Sequence, residues 1–359
     1  MSFINKVIRP DVRAVQAYHV PEFSGFLKMD AMENPYTLPS EMQVRLSEKL
    51  SHVALNRYPV PSYTDLKNKI CQKMGVAPGY RVILGNGSDE LISLISVACA
   101  RQDRRVAVMA PVPTFVMYAT FAQWAGLHFV GVDLRPDFSL DIPAMLAAIA
   151  QYQPAVLYLS YPNNPTGNLF DRRDVLALLS AMENCGIVVC DEAYQPFAQA
   201  SMMDALPDYP NLAVMRTVSK WGLAGIRLGY LSAQDALLDE WEKVRPPYNV
   251  NVLTEAAAGF ALDHMDVFEQ QASALCGERA ALSEALAGMP DVQVMPSFAN
   301  FLLIRVKNAD RVFKKLLERG ILVRNVSRMH GLLENCLRVT VSTPEESGLF
   351  LAQFKACLD

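Results

Sequence analysis

The segment Thr217 to Tyr230 reads T-V-S-K-W-G-L-A-G-I-R-L-G-Y, and it places one lysine and one arginine on a short glycine-rich turn. An apolar run leads into the segment, and a second apolar stretch follows Arg227. Two hydroxyl groups, those of Thr217 and Ser219, precede Lys220. Hydroxyl, amine and guanidinium groups on one turn suit an anion together with a carbonyl that the amine can attack. The rest of the chain decides whether this turn carries chemistry or is only a connection.

Short apolar strands alternate with helical segments on both sides of this turn. Seven strands are predicted, at residues 82–84, 105–110, 128–133, 155–160, 186–190, 212–216 and 228–231. Because these strands are apolar almost throughout and helices lie between them, we expect helices to cover both faces of the sheet. The pattern predicts an α/β fold with a large, mainly parallel seven-stranded sheet between helices.

The sequence changes character after the Pro246–Pro247 pair. A long helical segment, residues 254–286, which could be one helix or two in tandem, is followed by three more strands and two helices. This order of elements is typical of a smaller α+β domain. We therefore predict a large domain over residues 31–247. A small domain would combine residues 248–359 with an N-terminal arm, residues 1–30.

Composition and charge argue against several classes of function. The chain has 359 residues, a formal net charge of −4 and dispersed basic residues, so no nucleic-acid partner is expected. No apolar run approaches the roughly 18–20 residues of a membrane helix, and charged residues occupy the stretch where a signal peptide needs an apolar core. Seven scattered cysteines without a Cys-x-x-Cys pair, and five isolated histidines, favour reduced thiols in the cytoplasm and no metal site.

Three polar loops follow predicted strands, where ligands gather in open α/β sheets. Gly85-Asn86-Gly87-Ser88-Asp89 opens a helix, whose free N–H groups and dipole suit a phosphate, although a plain turn with a helix cap has the same composition. Asn163-Asn164-Pro165-Thr166-Gly167 holds its amides more rigidly than a tight turn needs. Asp191-Glu192-Ala193-Tyr194 puts a carboxylate at the end of a buried strand, which is costly unless a cation pairs with it or it caps a turn.

Lys220 follows a buried strand almost directly, although a lone lysine is most often a surface residue. In a partly apolar pocket the pKa of its amine would fall, which favours Schiff-base chemistry. One ligand accounts for this amine, for the phosphate-binding corner and for a carboxylate that needs a cation. That ligand is pyridoxal 5′-phosphate, an aromatic aldehyde with a pyridine nitrogen and a phosphate.

These motifs resemble those of the fold-type I, pyridoxal-phosphate-dependent aminotransferases. The superfamily motifs are Asn163-Asn164-Pro165-Thr166-Gly167, Asp191-Glu192-Ala193-Tyr194, Ser219-Lys220 and Gly225-Ile226-Arg227-Leu228-Gly229. Five further stretches are similar to the histidinol-phosphate aminotransferases in particular: Glu33-Asn34-Pro35-Tyr36, Asn56-Arg57-Tyr58-Pro59, Gly87-Ser88-Asp89-Glu90, Val323-Arg324 and Cys336-Leu337-Arg338-Val339-Thr340. The resemblance covers nearly the whole chain. It implies a transaminase that exchanges an amino group between histidinol phosphate and 2-oxoglutarate in histidine biosynthesis.

The resemblance implies a role for each cofactor-binding residue. Lys220 would bind the cofactor covalently and shuttle a proton once substrate has displaced it. Asp191 would pair with the pyridinium nitrogen. The remaining contacts would come from Asn164 and Tyr194 at the ring oxygen, Phe115 on the ring face, and Ser88, Asp89, Thr217, Ser219 and Arg227 at the phosphate.

The resemblance also implies how the substrates are held. Arg338 would clamp the glutamate carboxylate or the phosphate of histidinol phosphate, because these anions present similar acceptor spacing. Arg324, Tyr18 and Asn34 would assist it in binding substrate. Tyr58 would reach the cofactor phosphate of a partner subunit, which implies a homodimer.

Two positions depart from the family pattern, and three alternatives stay open. Seven positions separate Lys220 from Arg227 (227 − 220), where relatives commonly have eight, and Phe115 stands where many relatives have a tyrosine. The nearest alternative is an aromatic amino-acid aminotransferase that uses Arg338 for the carboxylates of both substrates. A decarboxylase of a phosphorylated amino acid would share the cofactor. A binding or regulatory protein would keep the fold without catalysis, although intact Lys220 and Asp191 argue against it.

Overall fold

A computed structural model of the chain describes residues 3–15, 25–101, 103 and 105–358. The strands within these residues, numbered in chain order, are β1 Leu27–Lys28, β2 Arg81–Asn86, β3 Ala107–Val112, β4 His128–Asp133, β5 Val156–Ser160, β6 Ile187–Asp191, β7 Leu212–Thr217, β8 Leu228–Ala233, β9 Gln293–Val294, β10 Phe301–Arg305, β11 Ile321–Leu322, β12 Arg324–Asn325 and β13 Cys336–Thr340.

The helices connect these strands or pack on their faces. They are α1 Ile4–Val7, α2 Pro10–Ala14, α3 Ser40–Ser51, α4 Thr64–Lys73, α5 Ser88–Cys99, α6 Met117–Trp124, α7 Ile142–Tyr152, α8 Arg172–Met182, α9 Gln195–Ala198, α10 Asp235–Glu242, α11 Val252–Asp263, α12 Met265–Ala287, α13 Ala309–Glu318 and α14 Pro344–Leu358. None of the helices in the described part of the chain is both long enough and apolar enough to cross a membrane.

The largest sheet has seven strands in the order β2-β8-β7-β6-β5-β3-β4. Strand β8 runs antiparallel to both of its neighbours, and the other adjacent pairs are parallel. Along β5, Leu157 and Leu159 belong to one hydrophobic core, whereas Val156 and Tyr158 belong to another. Alternate residues therefore face two separate cores, as expected for a sheet covered on both sides. The predicted mainly parallel seven-stranded sheet is confirmed.

The central strands end together at one edge of this sheet. Ser160 at the end of β5 is the register partner of Asp191 at the end of β6, and Thr217 ends the next strand, β7. Beside them, Gly229 of β8 packs against the start of α5, where a Cβ would lie only 2.7 Å from the backbone nitrogen of Ser88. The glycine thus lets the first turn of α5 approach the strand ends closely.

The C-terminal part of the chain forms a second, antiparallel sheet in the order β12-β13-β10-β9, packed with α12, α13 and α14. The segment predicted as helical at residues 254–286 is two helices, α11 and α12, which meet at His264. Strand β1 pairs in parallel with β11, so residues 27–28 join this C-terminal part. The domain boundaries at residues 30 and 247 stay a prediction that this pairing supports.

Candidate active site

A cavity of about 110 Å³ lies where β5, β6 and β7 end and α5 begins. Ten of its thirteen lining residues have polar or charged side chains. The lining residues are Met32, Ser88, Asp89, Phe115, Ser160, Asn164, Asp191, Ala193, Tyr194, Thr217, Ser219, Lys220 and Arg227. Every residue predicted to bind the cofactor lines this cavity except Tyr58. The structure thus brings together predicted cofactor ligands that are up to 139 positions apart in the sequence (227 − 88).

Lys220 stands on the tight turn that follows β7, and its amine donates a 2.9 Å hydrogen bond to the backbone carbonyl of Ala31. Burial lowers the pKa of the Lys220 amine to about 8, and the positive charges of Arg338 and Arg227 contribute to the shift. A lysine with this pKa is partly neutral near pH 7, which is the form that attacks a carbonyl.

Asp191 ends β6 with a fully buried carboxylate. The hydroxyl of Tyr118 donates to its Oδ2 at 2.7 Å, and the backbone N–H of Ala193 donates to its Oδ1 at 3.1 Å. Burial raises the pKa of Asp191 to about 6, and these two hydrogen bonds limit the rise. No lysine, arginine or histidine in the described part of the chain forms an ion pair with it. A carboxylate buried in this way suits a cationic ring nitrogen as its partner.

Asn164 connects the cavity to the second sheet. Its amide nitrogen donates to the hydroxyl of Tyr194 at 3.0 Å, and its Oδ1 accepts from Nη1 of Arg338 at 2.6 Å. Burial raises the pKa of the Tyr194 hydroxyl, so this group stays protonated and can donate. Arg338, on β13, also donates to the carbonyl of Asp30 at 2.7 Å and lies over the ring of Phe301.

The turn before α5 forms the other end of the cavity. Gly87 has φ near +78°, and a Cβ at this position would lie 2.6 Å from Nη2 of Arg227. The guanidinium of Arg227 is half exposed and lies 3.1 Å from the Asp89 carboxylate. The Thr217 and Ser219 hydroxyl oxygens are 2.9 Å apart. The first N–H groups of a helix have no intrahelical partner, so this corner suits an anion. The short spacing from Lys220 does not take Arg227 out of the cavity.

Four predicted site residues in the described part of the chain do not line the cavity, namely Tyr58, Asn34, Arg324 and Arg338. Tyr58 is 79% exposed and stacks on Tyr248, with ring centroids 4.5 Å apart. The amide nitrogen of Asn34 donates to the carbonyl of Trp221 and to the side chain of Gln271 instead. Arg338 donates to Asn164, which does line the cavity.

Arg324 lies directly opposite Arg338 across the β12–β13 pair, so the two side chains leave the sheet on the same face. This register places a second cation beside the predicted anion clamp without bringing it into the cavity wall. Tyr18 lies outside the described residues.

The sequence interpretation missed two groups that contact the site. The carbonyl of Ala31 accepts from Lys220, and the hydroxyl of Tyr118 donates to Asp191. Backbone carbonyls leave no trace in a sequence. Tyr118 could have been noticed, because it follows Phe115 at the i+3 spacing that brings two side chains together on a helix.

A larger cavity of about 840 Å³ opens on the other side of β6 and β7. Its arginines already have protein partners: Arg216 pairs with Glu192 at 2.8 Å, and Arg172 pairs with Asp204 at 2.8 Å. We therefore assign the chemistry to the smaller cavity. Among the described residues, no group of three or more histidine, cysteine, aspartate or glutamate side chains could hold a metal ion.

Comparison with known proteins places the chain in a family. The model of the family "Aminotransferase class I and II" matches residues 25–353. The chain is 58% identical to histidinol-phosphate aminotransferase 2 of Cupriavidus pinatubonensis, over 99% of this chain and 98% of that one. It is also 58% identical to histidinol-phosphate aminotransferase 1 of Ralstonia nicotianae, over 99% and 95%.

Among solved structures, the fold is similar to histidinol-phosphate aminotransferase from Sinorhizobium meliloti in complex with pyridoxal-5′-phosphate. The TM-score is 0.86 at 22% identity, with 98% of this chain and 97% of that chain covered. The cavity, the turn that carries Lys220 and these similarities agree with one another. The chain belongs to the class I and II aminotransferases, which are pyridoxal-phosphate-dependent enzymes.

Proposed function

We propose that this enzyme transfers the amino group of L-histidinol phosphate to 2-oxoglutarate, giving imidazole-acetol phosphate and L-glutamate, in the histidine biosynthesis of the cytoplasm. One observation carries the proposal: a single cavity joins the lysine amine to a buried carboxylate without a cation and to an anion-binding helix start. The names of the relatives that are 58% identical over nearly the full length support the choice of substrate. The names of these two relatives support neither an aromatic amino-acid aminotransferase nor a decarboxylase.

The residues of the cavity fit pyridoxal phosphate. The helix start at Ser88 and Asp89, with Thr217, Ser219 and Arg227, offers N–H, O–H and guanidinium donors to a phosphate. Asp191 offers an anion to the ring nitrogen, and Asn164 and Tyr194 offer donors to the ring oxygen. Phe115 supplies an aromatic face. The amine of Lys220 is the nucleophile for the aldehyde carbon.

When bound, pyridoxal phosphate supplies an electron sink for the electron pair left at the α-carbon of the substrate. The protein then has to move one proton and hold another. We propose that Nζ of Lys220 takes the proton from the α-carbon and would pass it to the former aldehyde carbon of the cofactor, a task suited to an amine with a pKa of about 8. The carboxylate of Asp191 holds the proton of the ring nitrogen, and burial excludes water from this pair.

We propose that Arg338 and the residues around it recognise the anionic groups of the substrates. The guanidinium is buried between Asn164, Asp30 and the ring of Phe301, which fixes its planar donor groups for a carboxylate or a phosphate. Arg324 on the same face adds positive charge for the more highly charged phosphate. Tyr18 and Asn34 stay predictions as substrate contacts.

We also propose a homodimer, in which Tyr58 contacts the cofactor phosphate of the partner subunit. The support is that this ring is exposed in the single chain, as are the side chains of Leu55 and Val60 in the same segment. Several large apolar side chains exposed on one short segment are typical of a surface that a partner covers. Light scattering measures the mass in solution, and a fully active monomer would refute the role of Tyr58.

Turnover with L-histidinol phosphate compared with L-phenylalanine, both with 2-oxoglutarate, tests the proposed substrate. We expect a kcat/KM at least about 10²-fold higher for histidinol phosphate, because a phosphate held by two arginines adds charge-assisted hydrogen bonds that phenylalanine lacks. Equal or higher efficiency with phenylalanine would assign the aromatic alternative. Release of carbon dioxide without a keto-acid acceptor would assign the decarboxylase.

A further inference from the structure

Tyr118 is fully buried in the first turn of α6 and contacts two predicted cofactor ligands at once. Its hydroxyl donates to Oδ2 of Asp191 at 2.7 Å. Its ring meets the ring of Phe115 edge to face, with centroids 5.6 Å apart and planes at 83°. On its other face it stacks on Tyr158 of β5, with centroids 4.6 Å apart and planes at 4°. The side chain is therefore fixed in position and in orientation by three neighbours.

We propose that Tyr118 is a positioning residue of the active site, which sets the ring-nitrogen contact through Asp191 and the ring-face contact through Phe115. This inference rests on the proposed function, because it concerns the cofactor that the function requires. Tyr118 does not line the cavity itself, so it acts through these two residues rather than on the substrate.

The hydrogen bond decides where the proton between Asp191 and a ring nitrogen lies. Each carboxylate oxygen can accept two hydrogen bonds, so Oδ1 and Oδ2 keep acceptor positions beside those used by Ala193 and Tyr118. A donor hydroxyl stabilises the ionised carboxylate more than the acid. Tyr118 thus keeps the negative charge on Asp191 and the proton on the ring nitrogen. Without the hydroxyl, the proton moves towards the carboxylate, and the ring withdraws electrons less strongly.

Tyr118→Phe tests the proposal, because it removes the hydroxyl and keeps the ring between Phe115 and Tyr158. In holoenzyme prepared with cofactor labelled with ¹⁵N in its ring, the chemical shift of the ring nitrogen reports its protonation. We expect the ¹⁵N shift at low pH to lie closer to that of a neutral pyridine nitrogen than in the wild type, and binding of the cofactor to the cofactor-free protein to be about tenfold weaker. We also expect kcat about tenfold lower, with the KM for amino donor unchanged.

Tyr158→Phe is the matched control. Tyr158 is equally buried and belongs to the same ring stack, and its hydroxyl finds no hydrogen-bond partner among the residues that the structure describes. We expect this variant to keep the wild-type ¹⁵N titration and cofactor affinity. The other groups whose charges act on or are acted on by Asp191, namely Asp89, Cys190, Glu192 and Tyr194, stay the same in both variants.

A double substitution distinguishes action through Asp191 from a general packing effect. In an Asp191→Asn background, Tyr118→Phe should change neither the ¹⁵N shift nor the cofactor affinity further. If Tyr118→Phe does not fold, 3-fluorotyrosine at position 118 keeps the ring and a stronger donor, and the ¹⁵N shift should then lie closer to that of a pyridinium nitrogen than in the wild type. Titrations identical to the wild type in the variants that fold would overturn the proposal. Absence of turnover with histidinol phosphate in the wild type would instead overturn the proposed function.

Discussion

Asp191 and Glu192 are consecutive, fully buried carboxylates that face opposite sides of the sheet, and the protein treats them differently. Glu192 has a cation: Arg216 reaches its Oε2 with Nη2 at 2.8 Å, and Ser201 donates to it as well. Asp191 has a hydroxyl and a backbone N–H but no cation among the described residues. A buried carboxylate is stabilised when a cation pairs with it. Glu192 therefore needs no ligand, whereas Asp191 is suited to a cationic ligand.

The same contrast holds for the two cations of β7 and its following turn. Arg216 donates to Glu192, to Ser201 and to the carbonyl of Met74, which uses its guanidinium for structure. Lys220 donates to one backbone carbonyl, and burial lowers its pKa to about 8. On the side of the candidate active site, Asp191 and Lys220 thus form no ion pair with the described residues, whereas Glu192 and Arg216 on the other side pair with each other.

The largest effect is expected from Lys220→Ala, which removes the amine on the reactive side. We expect the half-reaction with glutamate to fall at least about 10⁴-fold, because both the nucleophile and the proton carrier are lost. Stopped-flow absorbance of the holoenzyme measures this step. Lys243→Ala, at an exposed lysine that pairs with Glu240, is the control and should keep full activity. A Lys220→Ala enzyme with wild-type rates would refute the mechanism.

Glu192→Gln should destabilise the fold, because Glu192 belongs to the buried ion pair. It leaves the buried guanidinium of Arg216 without its counter-ion, so we expect the free energy of unfolding to fall by about 3–5 kcal/mol. Chemical denaturation of the cofactor-free protein measures the loss. The control is Asp204→Asn, which removes the exposed partner of Arg172 and should cost less than about 1 kcal/mol. Equal losses of unfolding free energy in the two variants would show that the buried ion pair stabilises the fold no more than the exposed one.

Asp191→Asn should lower the activity without lowering the stability, which is the reverse of the effect expected for Glu192→Gln. We expect kcat to fall by about 10²–10³-fold, because the ring nitrogen loses its buried anion. The cofactor-free protein should be no less stable at pH 7, since a buried carboxylate without a cation is removed. Steady-state kinetics and denaturation of the same preparation test both halves. Near-normal turnover, or a stability loss like that of Glu192→Gln, would remove the distinction between the two carboxylates.

The sequence predicted those parts of the site that local patterns encode. The ends of buried strands and the small residues of turns are visible in a chain, so Asn164, Asp191, Lys220 and the start of α5 at Ser88 could be assigned to one cavity. The seven strands were predicted to within a few residues for the same reason.

Contacts between distant segments could not be predicted in this way. Tyr118 reaches a residue 73 positions away, and Arg216 pairs with a glutamate 24 positions away. Such pairs depend on how helices and strands pack, and a single sequence does not record this. Asn34 shows the same limit, because its motif gave no sign that its amide donates to Trp221 and Gln271, and its substrate contact stays a prediction.

The smallest effect is the pH dependence of stability that Asp191 confers on the cofactor-free protein. Burial raises the pKa of this carboxyl to about 6, against about 3.9 in an unfolded chain, so the folded state binds more protons between these values. Stability therefore falls as pH rises through this window, by up to about 2–3 kcal/mol from this group. Other carboxylates titrate in the same range, so the wild type must be compared with Asp191→Asn at each pH. We expect the wild type to lose stability relative to the variant between pH 4 and pH 7. A difference that stays constant would mean that the carboxyl titrates normally, and a gain with rising pH would mean that a cation in the protein holds it after all.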